Sequence, residues 1–286
     1  MSVRMARTIE ECRAAVRAER RFSRRIALVP TMGALHEGHL SLVDRARKLA
    51  DTVVVSVFVN PSQFGAGEDF EHYPRDLERD MRLVEERGAA VVFAPAVEEM
   101  YPRPTLTTVT MKGITDALEG AHRPGHFDGM LTVVTKLFHI VQPDVAVFGQ
   151  KDAQQAAAVR RMVADLDFPV EIVVGATVRE PDGLALSSRN VFLTSEDRRE
   201  ALALSAALGR AEGLAREGVD DADRLLDAMR DELSRHPGIE VDYVAVVEPD
   251  SFRPVLRLAG PSVAAIAARV GETRLIDNVV IGPRER

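Results

Sequence analysis

His36 and His39, three residues apart in His36-Glu37-Gly38-His39, are the side chains of this sequence best placed to act on a charged substrate. They follow the apolar run Ile26-Ala27-Leu28-Val29-Pro30 and the turn Thr31-Met32-Gly33. An apolar strand that turns through glycine and opens a helix is the layout of a nucleotide site. Glycine lets the backbone approach a phosphate closely, and a helix N-terminus offers unpaired N–H groups at the positive end of its dipole. Imidazoles at i and i+3 share one face of the first turn, where they can donate hydrogen bonds to phosphate oxygens as charge builds. The competing reading is a surface helix start with two idle histidines. Zinc fits less well: the zinc-protease pattern sets its histidines four apart with a glutamate beside the first. The single cysteine, Cys12, belongs to an N-terminal helix far from the pair.

Three further segments carry candidate groups. Phe148-Gly149-Gln150-Lys151-Asp152 follows a strand and opens a helix, with Asp152 expected as N-cap. Lys151 there reaches a phosphate as a point charge, or is an ordinary surface lysine. Gln154 and Gln155 follow on the first turn, where Gln155 either points into a polar pocket or is simply exposed. Leu186-Ser187-Ser188-Arg189-Asn190 sets two hydroxyls beside a guanidinium that can grip phosphate oxygens bidentately; the plain alternative is a basic polar linker. Asn60-Pro61-Ser62-Gln63-Phe64-Gly65 breaks out of an apolar strand, and the Gln63 amide suits a substrate with hydroxyls and a carboxylate, the plain alternative being a turn made by Asn-Pro and Phe-Gly. Arg123-Pro124-Gly125-His126-Phe127 reads as a loop with anion donors, whereas Asp76 and Asp80 read as a solvated helix face without metal.

The elements that position these groups alternate. Strands are expected near 26–30, 52–59, 90–94, 144–149 and 170–176, Val-rich and apolar at nearly every position. Such runs suit strands buried on both faces of a parallel sheet. Helical spacing recurs near 38–50, 75–88, 129–140 and 152–166. Strand–helix–strand repetition predicts an α/β doubly wound, Rossmann-like sheet with ligands beyond the carboxyl ends of its strands. After about residue 185 two consecutive helices (195–217, 221–235) precede three strands (241–247, 262–269, 274–281). This change predicts a smaller α+β C-terminal domain, 178–286, after an N-terminal domain of 1–177, with the boundary between 177 and 188.

Bulk properties narrow the class. The chain has 286 residues, 46% hydrophobic and 28% charged, ordinary for a globular protein. No apolar run reaches membrane-spanning length, and residues 1–25 are charged throughout, unlike a signal peptide. One cysteine fits a reducing, cytoplasmic setting. A net charge of −7 argues against nucleic acid as partner but not against a small anion held by local cations.

In order along the chain, 32–39, Phe58-Val59-Asn60-Pro61-Ser62-Gln63-Phe64, Tyr73-Pro74-Arg75, 148–152 and 186–190 closely resemble the pantothenate synthetases, the ATP-dependent pantoate–β-alanine ligases. The ordered set is specific, whereas HxGH alone marks a superfamily of nucleotidylyl transferases and class I aminoacyl-tRNA synthetases. Two departures are visible: Gln150 stands where the family usually has Glu, and Leu186 where it usually has Met. The resemblance implies an ATP site of Met32, Gly33, Ala34, Leu35, His36, Glu37, Gly38, His39, Gly149, Gln150, Lys151, Asp152, Val178, Leu186, Ser187, Ser188 and Arg189. It implies Gln63 and Gln155 for pantoate, Gln63 also for β-alanine, and His39 as proton donor. His36, His39, Lys151, Ser187, Ser188 and Arg189, with magnesium carried on ATP, would supply the positive field for attack by pantoate on the α-phosphorus. A cytoplasmic homodimer making a coenzyme A precursor is implied with it. The alternatives are a nucleotidylyl transferase acting on a phosphorylated small molecule, a nucleotide-sensing module, and an aminoacyl-tRNA synthetase fragment.

Overall fold

The computed structural model describes residues 3–65 and 67–282. Six parallel strands form one sheet: β1 (Arg4–Ala6), β2 (Ile26–Thr31), β3 (Thr52–Val57), β4 (Val91–Phe93), β5 (Val145–Gly149) and β6 (Glu171–Gly175), in the order β1-β4-β3-β2-β5-β6. The Val-rich sequences of the four inner strands, β2 to β5, are buried on both faces, with Leu28, Val54, Val92 and Val147 fully excluded from solvent. Helices α1 (Ile9–Arg20), α2 (Glu37–Arg47), α3 (Leu77–Glu86), α4 (Val97–Met100), α5 (Glu119–His122), α6 (His126–Val141) and α7 (Ala153–Asp165) connect and cover them. The expected α/β sheet is therefore present, with β1 as an additional edge strand. Strand order reverses between β2 and β5, and ligand crevices in such sheets open at that reversal. The two segments rich in candidate groups, after β2 and after β5, leave the sheet there.

The chain then forms α8 (Ser195–Arg216), α9 (Ala222–Leu233) and an antiparallel sheet of β7 (Ile239–Val247), β8 (Ser262–Val270) and β9 (Thr273–Ile281). Alanine and leucine on α8, including Ala201, Leu204 and Leu208, pack with Leu225 and Met229 of α9 onto Ile266 of β8. The other sheet face does not meet water. Val247, Phe252, Val263 and Ala265 join the same apolar cluster as Phe127, Ala153 and Ala157 of α6 and α7. Ion pairs reinforce this contact: Arg274 on β9 bonds Glu119 on α5 at 2.7 Å and Asp242 on β7 at 2.6 Å. Among the described residues no helix is long and apolar enough to cross a membrane.

Candidate active site

The turn between β2 and α2 is held from beneath. Gly33 has φ +87° and Ala34 φ +51°, left-handed conformations that cost a residue bearing a side chain. Asp80, only 1% exposed on α3, compensates by accepting the backbone N–H of Ala34 at 2.9 Å and of Leu35 at 2.8 Å. A Cβ at Gly33 would stand 3.0 Å from both Asp80 Oδ2 and Val57 Cγ1, so glycine is needed there for space as well. The expectation of a solvated Asp76–Asp80 face is corrected. Asp76 caps α3 through the Arg79 N–H at 2.9 Å, and Asp80 is the buried anchor of the loop.

At the start of α2, His36 is the N-cap and His39 the third helical residue. His36 Nδ1 accepts the Gly38 N–H at 3.2 Å, and His39 Nδ1 accepts the His36 N–H at 3.4 Å. An imidazole that accepts at Nδ1 carries its proton on Nε2. Both rings, 4.1 Å apart between centroids, are therefore set as neutral Nε2–H donors. Burial first and the Lys151 ammonium second push the His36 pKa down to about 4. Burial first and His36 second push His39 down to about 3. Neutral at pH 7, the two imidazoles would meet an anion with bond dipoles rather than with charge. Glu37 turns away to Arg87 at 2.9 Å, leaving its backbone toward the site. A Cβ at Gly38 would lie 2.8 Å from His36 Cε1 and 3.6 Å from Leu186 Cβ, so the histidine ring and the 186–190 segment both crowd this position.

Beyond β5, a 3-10 turn, Gln150–Asp152, precedes α7. Asp152 occupies the N-cap position but makes no side-chain cap bond, contrary to expectation. The turn is held instead from β9. Asn278 Nδ2 donates to the carbonyls of Gln150 at 3.0 Å and Lys151 at 2.8 Å, while Gln150 Nε2 donates to Asn278 Oδ1 at 3.0 Å. Gly149 has φ −90° and open space beside it, so no steric demand of the chain requires glycine there.

The segment after β6 folds back on itself, the Leu186 N–H bonding the Val178 carbonyl at 3.0 Å. Ser187 caps the following 3-10 turn through the Arg189 N–H at 3.2 Å. Arg189 is not free to grip a phosphate in this state. Its guanidinium is bidentate to Asp69, 2.8 Å on each arm, and Ser188 Oγ lies 3.2 Å from the Tyr73 hydroxyl. Thr177 Oγ1, next to Val178, is buried and has no hydrogen-bond partner among the described residues.

Gln63 is 7% exposed, with its amide orientation decided by Asn60. Asn60 Oδ1 accepts the Tyr101 hydroxyl at 2.8 Å, so its Nδ2 faces Gln63 Oε1 at 3.1 Å. Gln63 Nε2 then points to Met32 Sδ at 3.0 Å. One acceptor position of Oε1 is taken by Asn60, and Nε2 directs a donor toward the 32–39 loop. Gly129 of α6 makes this packing possible, since a Cβ there would overlap the Ser62 carbonyl. The Arg123–His126 segment is not an open loop. Arg123 is bidentate to Glu68 (2.9 and 2.7 Å), and His126 begins α6 with Nδ1 2.8 Å from the Gln63 carbonyl. Burial first and Arg123 second lower His126 to about 4.

Gln155, Lys151, Asp152, Arg123, His126 and Asn278 line a cavity of about 50 Å³ between the two sheets' units. Gln154 is structural, its amide spent on the backbone of residues 114–119. A larger cleft of about 770 Å³ lies between 109–114 and α7 and contains none of the candidate groups. Among the described residues no three His, Cys, Asp or Glu side chains are grouped to hold a metal ion.

Known proteins resemble this chain over nearly their whole length. The Pantoate-beta-alanine ligase profile matches residues 4–280. The chain belongs to the pantoate-beta-alanine ligase family. It is 54% identical to the pantothenate synthetase of Moorella thermoacetica over 277 residues, 97% of this chain and 98% of that one. Against the pantothenate synthetase of Thermoanaerobacter sp. (strain X514), identity is 52% over 274 residues, 96% of this chain and 97% of that one. The crystal structure of pantothenate synthetase from Thermus thermophilus superposes with a TM-score of 0.94 at 49% identity, covering 98% of this chain and 100% of that one. The Francisella tularensis ligase, solved with beta-gamma ATP and beta-alanine, gives 0.81 at 33% identity, covering 98% of each chain.

Proposed function

We propose that this chain condenses pantoate with β-alanine at the expense of ATP, by way of a pantoyl adenylate. A pantoate carboxylate oxygen attacks the α-phosphorus; an O–P bond forms and the bond to pyrophosphate breaks. The β-alanine amine then attacks the acyl carbon, forming the amide, losing a proton and releasing AMP. The carboxylate is already nucleophilic, so the first step needs alignment and charge stabilisation rather than a base. The observation that carries the reading is the pair of Nε2–H donors at the N-terminus of α2, with the Lys151 ammonium close enough to depress both rings. Donors of this kind, fixed before substrate arrives, act where charge grows on the phosphoryl oxygens.

The remaining residues take roles by position. The 32–39 turn, 149–152, Val178 and 186–189 form the ATP site, and the unpartnered Thr177 hydroxyl offers a bond to a polar ligand atom. Gln63 and Gln155 hold pantoate, Gln63 through its N–H donor, and Gln63 also borders β-alanine. Asp152, uncapped at the head of α7, fits a magnesium ion that arrives on the triphosphate. When bound, that ion offsets phosphate charge.

The bonds from Asn278 of β9 to the Lys151 turn support a C-terminal domain of 178–286 that swings away for entry and closes on the substrates. Residues 105–108 are exposed with no ladder partner, Leu106 at 96%, which supports a homodimer paired through this stretch beside the 770 Å³ cleft. The reducing cytoplasm suits the one buried thiol, Cys12.

The test is exchange of labelled pyrophosphate into ATP without amine. Exchange that requires pantoate supports the adenylate. Exchange with no acid present, or a stable nucleotidylated phosphate ester as product, overturns it in favour of a nucleotidylyl transferase.

A further inference from the structure

Asn278 lies on β9, 128 residues from Gln150, and is 5% exposed. Every polar atom of its side chain is spent on the turn that carries Lys151. Both Nδ2 hydrogens go to consecutive carbonyls, of Gln150 and Lys151, and Oδ1 receives Gln150 Nε2. The amide cannot be reversed, since reversal sets an oxygen against two carbonyls and an NH₂ against another. The turn has no side-chain cap of its own, so these bonds are what fixes its carbonyls from outside the helix. Asn278 is itself held: its N–H bonds Asp277 Oδ1 at 2.8 Å, and Asp277 is gripped bidentately by Arg179 at 2.6 and 2.9 Å.

We infer that Asn278 is a positioning residue for Lys151, through which the C-terminal strand sets the site's ammonium against the triphosphate. The inference rests on the phosphate role given to Lys151 above. A lysine stem is long and flexible, so its charge is aimed only as well as its backbone is anchored. Here the anchor is borrowed from the other sheet, and the ammonium is correctly placed only when the two units are docked. Misplacement by about 1 Å costs on the order of a hundredfold in rate.

The experiment measures pantoate-dependent pyrophosphate exchange in the full chain for Asn278→Ala, Asn278→Asp, Lys151→Ala and the Asn278→Ala/Lys151→Ala pair, with melting curves for each. Asn278→Asp keeps volume and the acceptor for Gln150 but loses both donors. Expected is a fall in kcat of roughly ten- to hundredfold for both Asn278 variants, with KM for ATP little changed. Once Lys151 is alanine, removing Asn278 is expected to cost less than about threefold more, because the two act as one unit. Parental exchange in Asn278→Asp, losses that multiply in full in the double variant, or failure of both Asn278 variants to fold would each overturn the assignment. Full exchange in Lys151→Ala would instead strike the phosphate role of Lys151 and remove the basis of the inference with it.

Discussion

Asp80 accepts the backbone N–H of Leu35 at 2.8 Å across 45 residues of chain, and that bond holds the nucleotide turn in its left-handed conformation. Two amides depend on this one carboxylate. Asp80→Ala is expected to destabilise the fold by about 1–3 kcal/mol, the usual penalty for buried donors left unpaired. It is also expected to raise KM for ATP more than KM for pantoate. Urea unfolding and initial rates at varied ATP check both, with Asp80→Asn falling between.

Gly38 is crowded by the ring it helps to orient. Gly38→Ala drives a methyl group to within 2.8 Å of His36 and displaces that imidazole. The expected result is a drop in kcat of roughly ten- to hundredfold with the melting temperature nearly unchanged. Substitution at Gly149, where a Cβ meets nothing nearer than Leu42 at 3.8 Å, is expected to leave the unliganded fold intact. Melting curves of the two variants check both outcomes.

Three histidines, His36, His39 and His126, are held neutral well below the ordinary value, at about 4, 3 and 4. Their unfolded pKa is about 6.5, so between pH 6.5 and about 4 the unfolded chain binds protons that the folded chain refuses. Stability from this source is complete above pH 6.5 and is lost as pH falls through that window. A melting temperature that declines from pH 6.5 to 4.5, less steeply in His39→Gln, is the expected outcome. A flat profile in the parent chain would contradict the neutral assignment.

The Arg189–Asp69 pair ties the serine loop to the segment after Gln63. Asp69→Asn is expected to lower kcat/KM for ATP about tenfold. Combined with Arg189→Ala it is expected to add little, because both remove the same tether. Steady-state rates of the single and double variants give the coupling directly.

Asn60 fixes the orientation of the Gln63 amide, so that its N–H donor faces the 32–39 loop. Gln63→Glu replaces that donor with a negative charge facing a carboxylate substrate. KM for pantoate is expected to rise by more than about tenfold while KM for ATP moves little, as measured in the exchange assay.

The sheet was legible because five of its strands announce themselves as apolar runs such as Val53-Val54-Val55, which only burial on both faces explains. Arg4–Ala6 carries no such run: three residues with one charge become a strand because β4 offers an edge. The glycine turn, the histidine pair and Lys151 were legible from local spacing. Asp80 was not, because its helix is acidic throughout and only the tertiary approach of the 32–35 turn buries it. Asp277 and Asn278 were equally silent, being polar residues of a mixed strand whose partners lie 98 and 128 residues away. Arg189 looks unpaired in the sequence because Asp69, its partner 120 residues earlier, stands in a stretch with no periodicity of its own.

The clamp on the Lys151 turn belongs to β9, the last strand in chain order. The turn after β5 is thus completed by an amide 128 residues further along the chain than Gln150. The same strand contributes Leu275 and Ile281 to the apolar cluster under α8 and α9, so the packing of the C-terminal unit and the anchoring of the Lys151 turn depend on one element.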